Sequence, residues 1–245
     1  MSLLLLFVVG CLAGTLNVVA GGGSFLTLPV LLFLGLPAPL ANGTNRVAIL
    51  AQNGGAVWSF RRHGFLDRRS LVWAALPATA GAVLGAWLAL DVGDIAFRRL
   101  LAVLMVVLSA LSLWSPRWRP GERRPPWAPL AFFVVGVYGG FIQAGVGFLV
   151  LAVTTAAGFD LVRGNAIKVL SVLCWTIAAL AVFAANGSVD WRLGVALAAG
   201  MLVGGVGGAR LTVLKGHRWL KVVVTATAIL FAVGLWLGVG RPPAS

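Results

Sequence analysis

The sequence predicts an all-α polytopic membrane protein built as two inverted-topology repeats of about five hydrophobic segments each. Three observations carry this. Of the 245 residues, 60% are hydrophobic and only 10% charged, against roughly 25% charged in soluble domains. Apolar runs fill nearly the whole length and lack the polar stripe that a surface helix of a soluble protein keeps toward water. Finally, the chain matches itself at a shift of 123 residues.

The apolar segments run at 3–20, 24–35, 45–60, 70–90, 96–114, 128–142, 147–158, 168–185, 191–213 and 218–238. A full crossing needs roughly 20 apolar residues. Segments 24–35 and 147–158 are too short for that and read as half-helices or re-entrant pieces. In the first segment, Val8-Val9-Gly10-Cys11 resembles a lipoprotein cleavage site, but no positive region precedes it, so it reads as a retained helix. The stretch 17–46 is the one around which the chain is organised. Gly21, Gly22 and Gly23 interrupt an apolar run before Ser24, and a Gly-Leu-Pro turn leads into the polar cluster Asn42, Thr44, Asn45 and Arg46. Broken backbone at membrane depth is tolerated only against protein or a water-lined cavity. Further on, Asp67 and Asp190 precede long apolar spans as helix N-caps. Gly81/Gly85 and Gly204/Gly208 have the four-residue spacing that lets helices approach closely.

The 123-residue shift places Gly22 on Gly145, Phe25 on Phe148, Gly35 on Gly158 and Asn42 on Asn165. It also matches Gly64/Gly187, Asp67/Asp190, Arg69/Arg192 and Gly81/Gly204. Upstream, LFVVG at 6–10 matches FFVVG at 132–136 only with a further three-residue shift. Matches among Leu, Ala, Val and Gly arise easily by chance, whereas the polar pairs do not. The repeat divides one transmembrane domain, 1–245, into repeat one at 1–114, a Pro-rich charged linker at 115–126 and repeat two at 127–245.

Net charge +13 does not point to nucleic acid, because the Lys and Arg fall in short clusters between apolar runs, as the positive-inside rule requires. Arg61, Arg62, Arg68 and Arg69 form one cluster. Arg117, Arg119, Arg123 and Arg124 fill the linker, and Arg210, Lys215, Arg218 and Lys221 form the third. Placing all three in the cytoplasm leaves Arg98, Arg99 and Arg192 for the opposite loops, with Arg241 in the tail. The Arg69 loop is then inside and its mate at Arg192 outside, so the halves run in opposite directions and both termini lie outside.

No catalytic constellation is present: no Ser/His/Asp set, paired carboxylates, zinc spacing or P-loop. Cys11 and Cys174 read as packed thiols, and no cofactor or metal is called for. An inverted repeat with a broken helix in each copy is instead a transporter design, in which half-helix N-termini aim their N–H groups at an anion near the midplane. The candidate substrate site comprises Gly21, Gly22, Gly23 and Ser24, with Gln143, Gly145 and Gly147 at the second break. Asn42, Thr44, Asn45 and Arg46 join it from the first copy, and Asn165 and Lys168 from the second. Taken singly, each cation has a plain alternative, snorkelling to the interface. Two cations at neighbouring repeat positions with almost no acids nearby favour an anionic ligand. Gln52 and Asn53 line the same cavity or pair with a neighbouring helix.

The motifs GGGSFLTLP, GLPAPLANGT and GVGFLVL…GNAIK resemble those of the sulfite exporter TauE/SafE family, over essentially the full length. The resemblance implies a permease of the bacterial inner membrane for small sulfur-containing anions such as sulfite or sulfonates. The second copy departs from the pattern at Val146 and at Gly158-Phe159-Asp160, which predicts an asymmetric site. The expected partners are a small anionic sulfur-containing substrate and membrane lipid, with no nucleic acid; a homo-oligomer is left open. The leading expectation is an exporter working by alternating access. An anion importer or channel is the alternative within transport, and a non-transporting membrane assembly factor the alternative outside it.

Overall fold

Gly35 and Gly158, repeat mates in sequence, end two short helices in the same way, with φ of +87° and +88°. In each turn the glycine N–H donates three residues back and the next N–H five residues back, Leu36 to Leu31 and Phe159 to Thr154. This left-handed cap needs a residue without Cβ. Gly64 and Gly187 close two further turns likewise, at +75° and +65°. The computed structural model describes residues 3–20, 23–66, 68–113, 125–215 and 218–238.

Among the described residues the chain forms ten helices and no strand. The first half holds α1 (Leu3–Ala20), α2 (Ser24–Phe33), α3 (Ala38–Arg62), α4 (68–91) and α5 (Asp94–Leu113). The second holds α6 (Ala128–Phe141), α7 (Val146–Ala156), α8 (Leu161–Ala185), α9 (Trp191–Lys215) and α10 (Arg218–Trp236). Helix α4 widens into a π segment at Leu71–Ala75, which ends two residues before Pro77, a residue with no N–H to return to Trp73. The stretches Leu71–Asp91 and Val162–Ala185 are long and apolar enough to cross a membrane.

The burial pattern is that of a membrane protein. Large apolar side chains such as Leu130 and Leu230 face outward, 67% and 68% exposed, while Asn42, Thr44, Asn45 and Arg46 are fully buried. Soluble monomers rarely leave so much contiguous apolar surface. The protein is a polytopic helical membrane protein.

Two helix pairs are in backbone contact through glycines. On α4, a Cβ at Gly81 or Gly85 would strike the carbonyls of Phe133 and Val137, and on α6 one at Gly136 or Gly140 would strike those of Ala78 and Ala82. The α1–α9 pair repeats this: Gly10 and Gly14 lie on Leu197 and Met201, Gly200 and Gly204 on Phe7 and Cys11. Gly208 lies outside the described contacts. Position numbers rise together in both pairs, so α1 runs parallel to α9 and α4 parallel to α6. Each pair joins a helix of one half to a helix of the other.

These directions settle the short segments. Gly43 packs against Phe183, so the start of α3 lies beside the end of α8 and the two helices run antiparallel. The Asp190 N–H, at the start of α9, donates to Thr44 Oγ1 at 2.9 Å. Helix α1 therefore enters from the face where α9 begins, and α2 returns to that face to meet α3. By the same reasoning α6 and α7 form a hairpin from the opposite face. Both short helices therefore double back beside the helix that precedes them, each returning to the face from which its hairpin entered.

The structure corrects two expectations. The third and eighth helices begin at Ala38 and Leu161, seven residues earlier than hydropathy places them. Polar residues lower the apolar average, but Asp94 Oδ1 accepts from Ala38 N at 2.8 Å, and Asp160 accepts from the Val162 and Arg163 N–H groups. Both helix starts are thereby capped. Arg98, expected in a loop, is 1% exposed inside α5. Its Nε donates to Asp94 at 2.6 Å, and its terminal nitrogens donate to the carbonyls of Leu32 and Leu36 at 3.2 and 3.3 Å. A guanidinium so placed adds a second donor to the Leu32 carbonyl, which already accepts from Gly35 N, and supplies one to the Leu36 carbonyl just past the end of α2. The Asp190 cap is present, on Leu193 N at 3.0 Å; Asp67 lies outside the described residues.

Candidate functional site

The tips of the two re-entrant hairpins meet. Phe25, in the first turn of α2, packs on Gly145, which caps α7 with φ +70°. The rings of Phe25 and Phe148 lie 6.3 Å apart between centroids. The N-terminal ends of α2 and α7, each carrying the positive end of a helix dipole, thus lie together where α1 and α6 end.

Helix α3 holds both breaks. Near its middle, Gln52 Oε1 accepts from Asn17 Nδ2 at 2.5 Å, while Gln52 Nε2 donates to the Gly14 carbonyl at 3.3 Å. Asn17 Oδ1 in turn accepts from Gly23 N at 3.4 Å. One end of α3 secures the second break more heavily. Asn42 Nδ2 donates to the Phe141 carbonyl at 2.6 Å. Arg46 Nη1 donates to the Gly139 carbonyl at 3.2 Å and to Gln143 Oε1 at 2.8 Å. Arg46 Nη2 donates to the Gly140 carbonyl and, at 3.4 Å, to Asn42 Oδ1. The guanidinium also lies 4.9 Å from the centre of the Phe183 ring. Four of its five N–H groups are therefore used on the end of α6 and its neighbours, and Nε has no partner.

Gln143 is the one non-glycine residue with positive φ among the described residues, at 66°. Its Nε2 donates to Thr176 Oγ1 at 2.9 Å. The side chain is thus gripped at both ends, by α3 through Arg46 and by α8 through Thr176, which maintains a backbone conformation that costs roughly 1–3 kcal/mol.

The remaining sequence candidates fall into three groups. Gly21 and Gly22 lie outside the described residues; Gly23 caps α2 and Ser24 opens it. Thr44 belongs to the start of α9 through Asp190. Asn45 is fully buried, with neither amide atom bonded. Gly147 is buried in the first turn of α7. Asn165 and Lys168 are partly exposed on α8. Asn42, Arg46 and Gln143 are brought together at the second break, with Gly145 beside them. Arg46 and Lys168 are not adjacent. Arg46 lies about 12 Å along α3 from its start, and Lys168 about 10 Å along α8 from its start; these antiparallel helices start on opposite faces.

Sequence reasoning did not single out Thr176, Trp175 or Ser171, which read as apolar-helix filler. Of the two roles offered for Gln52 and Asn53, Gln52 takes the pairing one and Asn53 neither. Gln52 pairs with α1, whereas Asn53 turns back on the Ile49 carbonyl at 2.9 Å.

The model of the family described as sulfite exporter TauE/SafE matches residues 6–235 of this chain. A probable membrane transporter protein of Sinorhizobium, ORF9, is 29% identical over 236 residues, covering 94% of this chain and 90% of its own. A probable membrane transporter protein of Haemophilus influenzae is 27% identical over 234 residues, covering 93% and 92%. The Escherichia coli K12 probable membrane transporter protein YfcA is 28% identical over 238 residues, covering 93% and 87%. No solved structure matches the chain.

Proposed function

Because the chain belongs to the sulfite exporter TauE/SafE family and is a membrane transporter, we propose that it carries small sulfur-containing anions, sulfite or sulfonates, out of the cell by alternating access. It does so as a multi-pass protein of the bacterial inner membrane, with both termini outside. The observation that carries this reading is the meeting of two re-entrant tips at Phe25 and Phe148. Two helix N-termini there present positive dipole ends, and Arg46 cancels the negative end of α6 immediately behind. The region between the tips is therefore biased toward negative charge.

The inverted repeat supplies the motion. Positions 123 residues apart make like contacts: Gly81 and Gly204 each lie on a carbonyl of a parallel partner, and Gly35 and Gly158 close equivalent turns. Exchange of the two halves' conformations would open the tips first to one face and then to the other. Direction follows from charge. An interior-negative potential favours anion exit by roughly 2.3 kcal/mol per charge per 100 mV, so export needs no coupling ion.

Efflux of sulfite from proteoliposomes under an imposed potassium diffusion potential tests this. Efflux that accelerates as the interior is made negative is the expected result. Efflux no faster than from protein-free vesicles at any potential overturns the reading.

A further inference from the structure

Three polar side chains of α8 that take no part in the hydrogen bonds at the hairpin tips lie on one of its faces. Lys168, Ser171 and Trp175 stand at i, i+3 and i+7, within about 60° of arc at 3.6 residues per turn. Ser171 and Trp175 are fully buried, yet Ser171 Oγ and Trp175 Nε1 have no hydrogen-bond partner. Ser171 does not even turn back onto its own helix, the usual resort of a buried helical hydroxyl. Buried polar groups are nearly always satisfied, and each exception calls for an explanation.

The face is placed by its neighbours. Trp175 packs in one apolar cluster with Val146 and Val150 of α7 and with Ile49 of α3. Its indole edge lies against Gly139, with Nε1 3.5 Å from where a Cβ would stand, and the Gly139 carbonyl is one that Arg46 holds at 3.2 Å. At the other end, Gly164 touches Thr154. One turn further, that register sets Lys168 opposite Val150, a turn short of the start of α7.

We propose that this face of α8 is a track of hydrogen-bond donors for a small oxyanion, running from Lys168 past Ser171 and Trp175 to Nε of Arg46. The proposal deepens the transport reading and rests on it. The chemistry selects the ligand. An ammonium, an indole N–H and a guanidinium N–H can only donate, and the hydroxyl can do so. A ligand that offers acceptors alone, a fully deprotonated oxyanion, satisfies all four, whereas a cation satisfies none of the three obligate donors. The track also joins Arg46 and Lys168, which approach from opposite faces, across about 10 Å of helix.

Equilibrium binding and flux of sulfite, methanesulfonate and thiosulfate test it, with wild-type protein beside Ser171→Ala, Trp175→Phe and the control Gly55→Ala, whose added methyl meets open space. Ser171→Ala removes an unpaired hydroxyl, so without anion it is expected to melt no lower than wild type. With anion it is expected to bind about tenfold more weakly and to lose most of the ligand-induced rise in melting temperature. Trp175→Phe keeps an aromatic ring but drops the N–H together with the pyrrole part of the indole, with an equal or larger loss of binding, and its melting temperature without anion separates the lost volume from the lost donor. If wild type binds while both variants bind within about twofold of it, the donor track is wrong and the transport reading stands. If wild type neither binds nor carries any of the three anions, both fall.

Discussion

Arg46 donates to Gln143 Oε1 at 2.8 Å across 97 residues of sequence, tying the long helix α3 to the one non-glycine position of positive φ among the described residues. The same guanidinium caps the last carbonyls of α6. Its charge is thus spent first on structure, with only Nε left over. Arg46→Ala is expected to strand two buried carbonyls, at roughly 1–3 kcal/mol each, and Arg46→Lys, with one point of attachment, to recover only part. Thermal melts in detergent measure this. Equal melting temperatures for wild type and Arg46→Ala would show that the cap carries no weight.

Asp94 and Arg98 form the partner device on α2. Arg98 is buried while Asp94 is 24% exposed; removing Asp94 leaves the buried guanidinium without its counter-charge, a loss below the about 3–5 kcal/mol of a fully buried pair, whereas replacing both partners by apolar residues is often neutral. Asp94→Ala is therefore expected to destabilise and Asp94→Leu with Arg98→Met to recover much of the loss. A double-mutant cycle on melting temperature reads the difference.

The glycine pairs make a contrast. Gly85→Ala or Gly140→Ala drives a methyl into a neighbouring backbone, where only a shift of helix α4 or α6 relieves it. Overpacking of this kind typically costs about 1–3 kcal/mol. Gly55→Ala adds a methyl into open space within α3 and gains up to about 1 kcal/mol of helix propensity. Fluorescence-detected size exclusion after a heating series ranks the three.

Much of the fold is legible in the sequence because its punctuation is chemical. Gly35, Gly64, Gly158 and Gly187 mark turns that no Cβ-bearing residue adopts easily, and the lengths of the second and seventh segments already exclude a crossing. Hydropathy misplaces two helix starts because it drops at Asn42–Arg46 and Asn165–Lys168, although the backbone there is helical and capped by Asp94 and Asp160. Gly10 and Gly136 stand out only as matching repeat positions and Gly14 and Gly140 not at all, since a glycine among Leu, Ala and Val identifies no packing partner. For the site, residue type tells donors from apolar residues but not what each donor is spent on. Arg46 caps a helix and Thr44 braces α9, and neither role leaves a trace in the local sequence.

Topology has a direct test. His63 and Asn186 are repeat mates, each in a tight turn after a crossing helix, α3 and α8. With Cys11 and Cys174 removed, His63→Cys is expected to react with impermeant maleimide only from the cytoplasmic side and Asn186→Cys only from outside. Labelling of both from one side would rule out an inverted repeat.

The central claim is that the protein carries a sulfur oxyanion across the membrane along donors that lead from Lys168 on α8 toward the two tips. Counterflow of radiolabelled sulfite into proteoliposomes preloaded with unlabelled sulfite tests it most directly, with wild type beside Lys168→Ala. The account predicts saturable counterflow by wild type and at least about a tenfold loss in Lys168→Ala, a charge-assisted bond being worth about 1.5–3 kcal/mol. Counterflow by wild type no greater than in empty liposomes, or undiminished in Lys168→Ala, would contradict it.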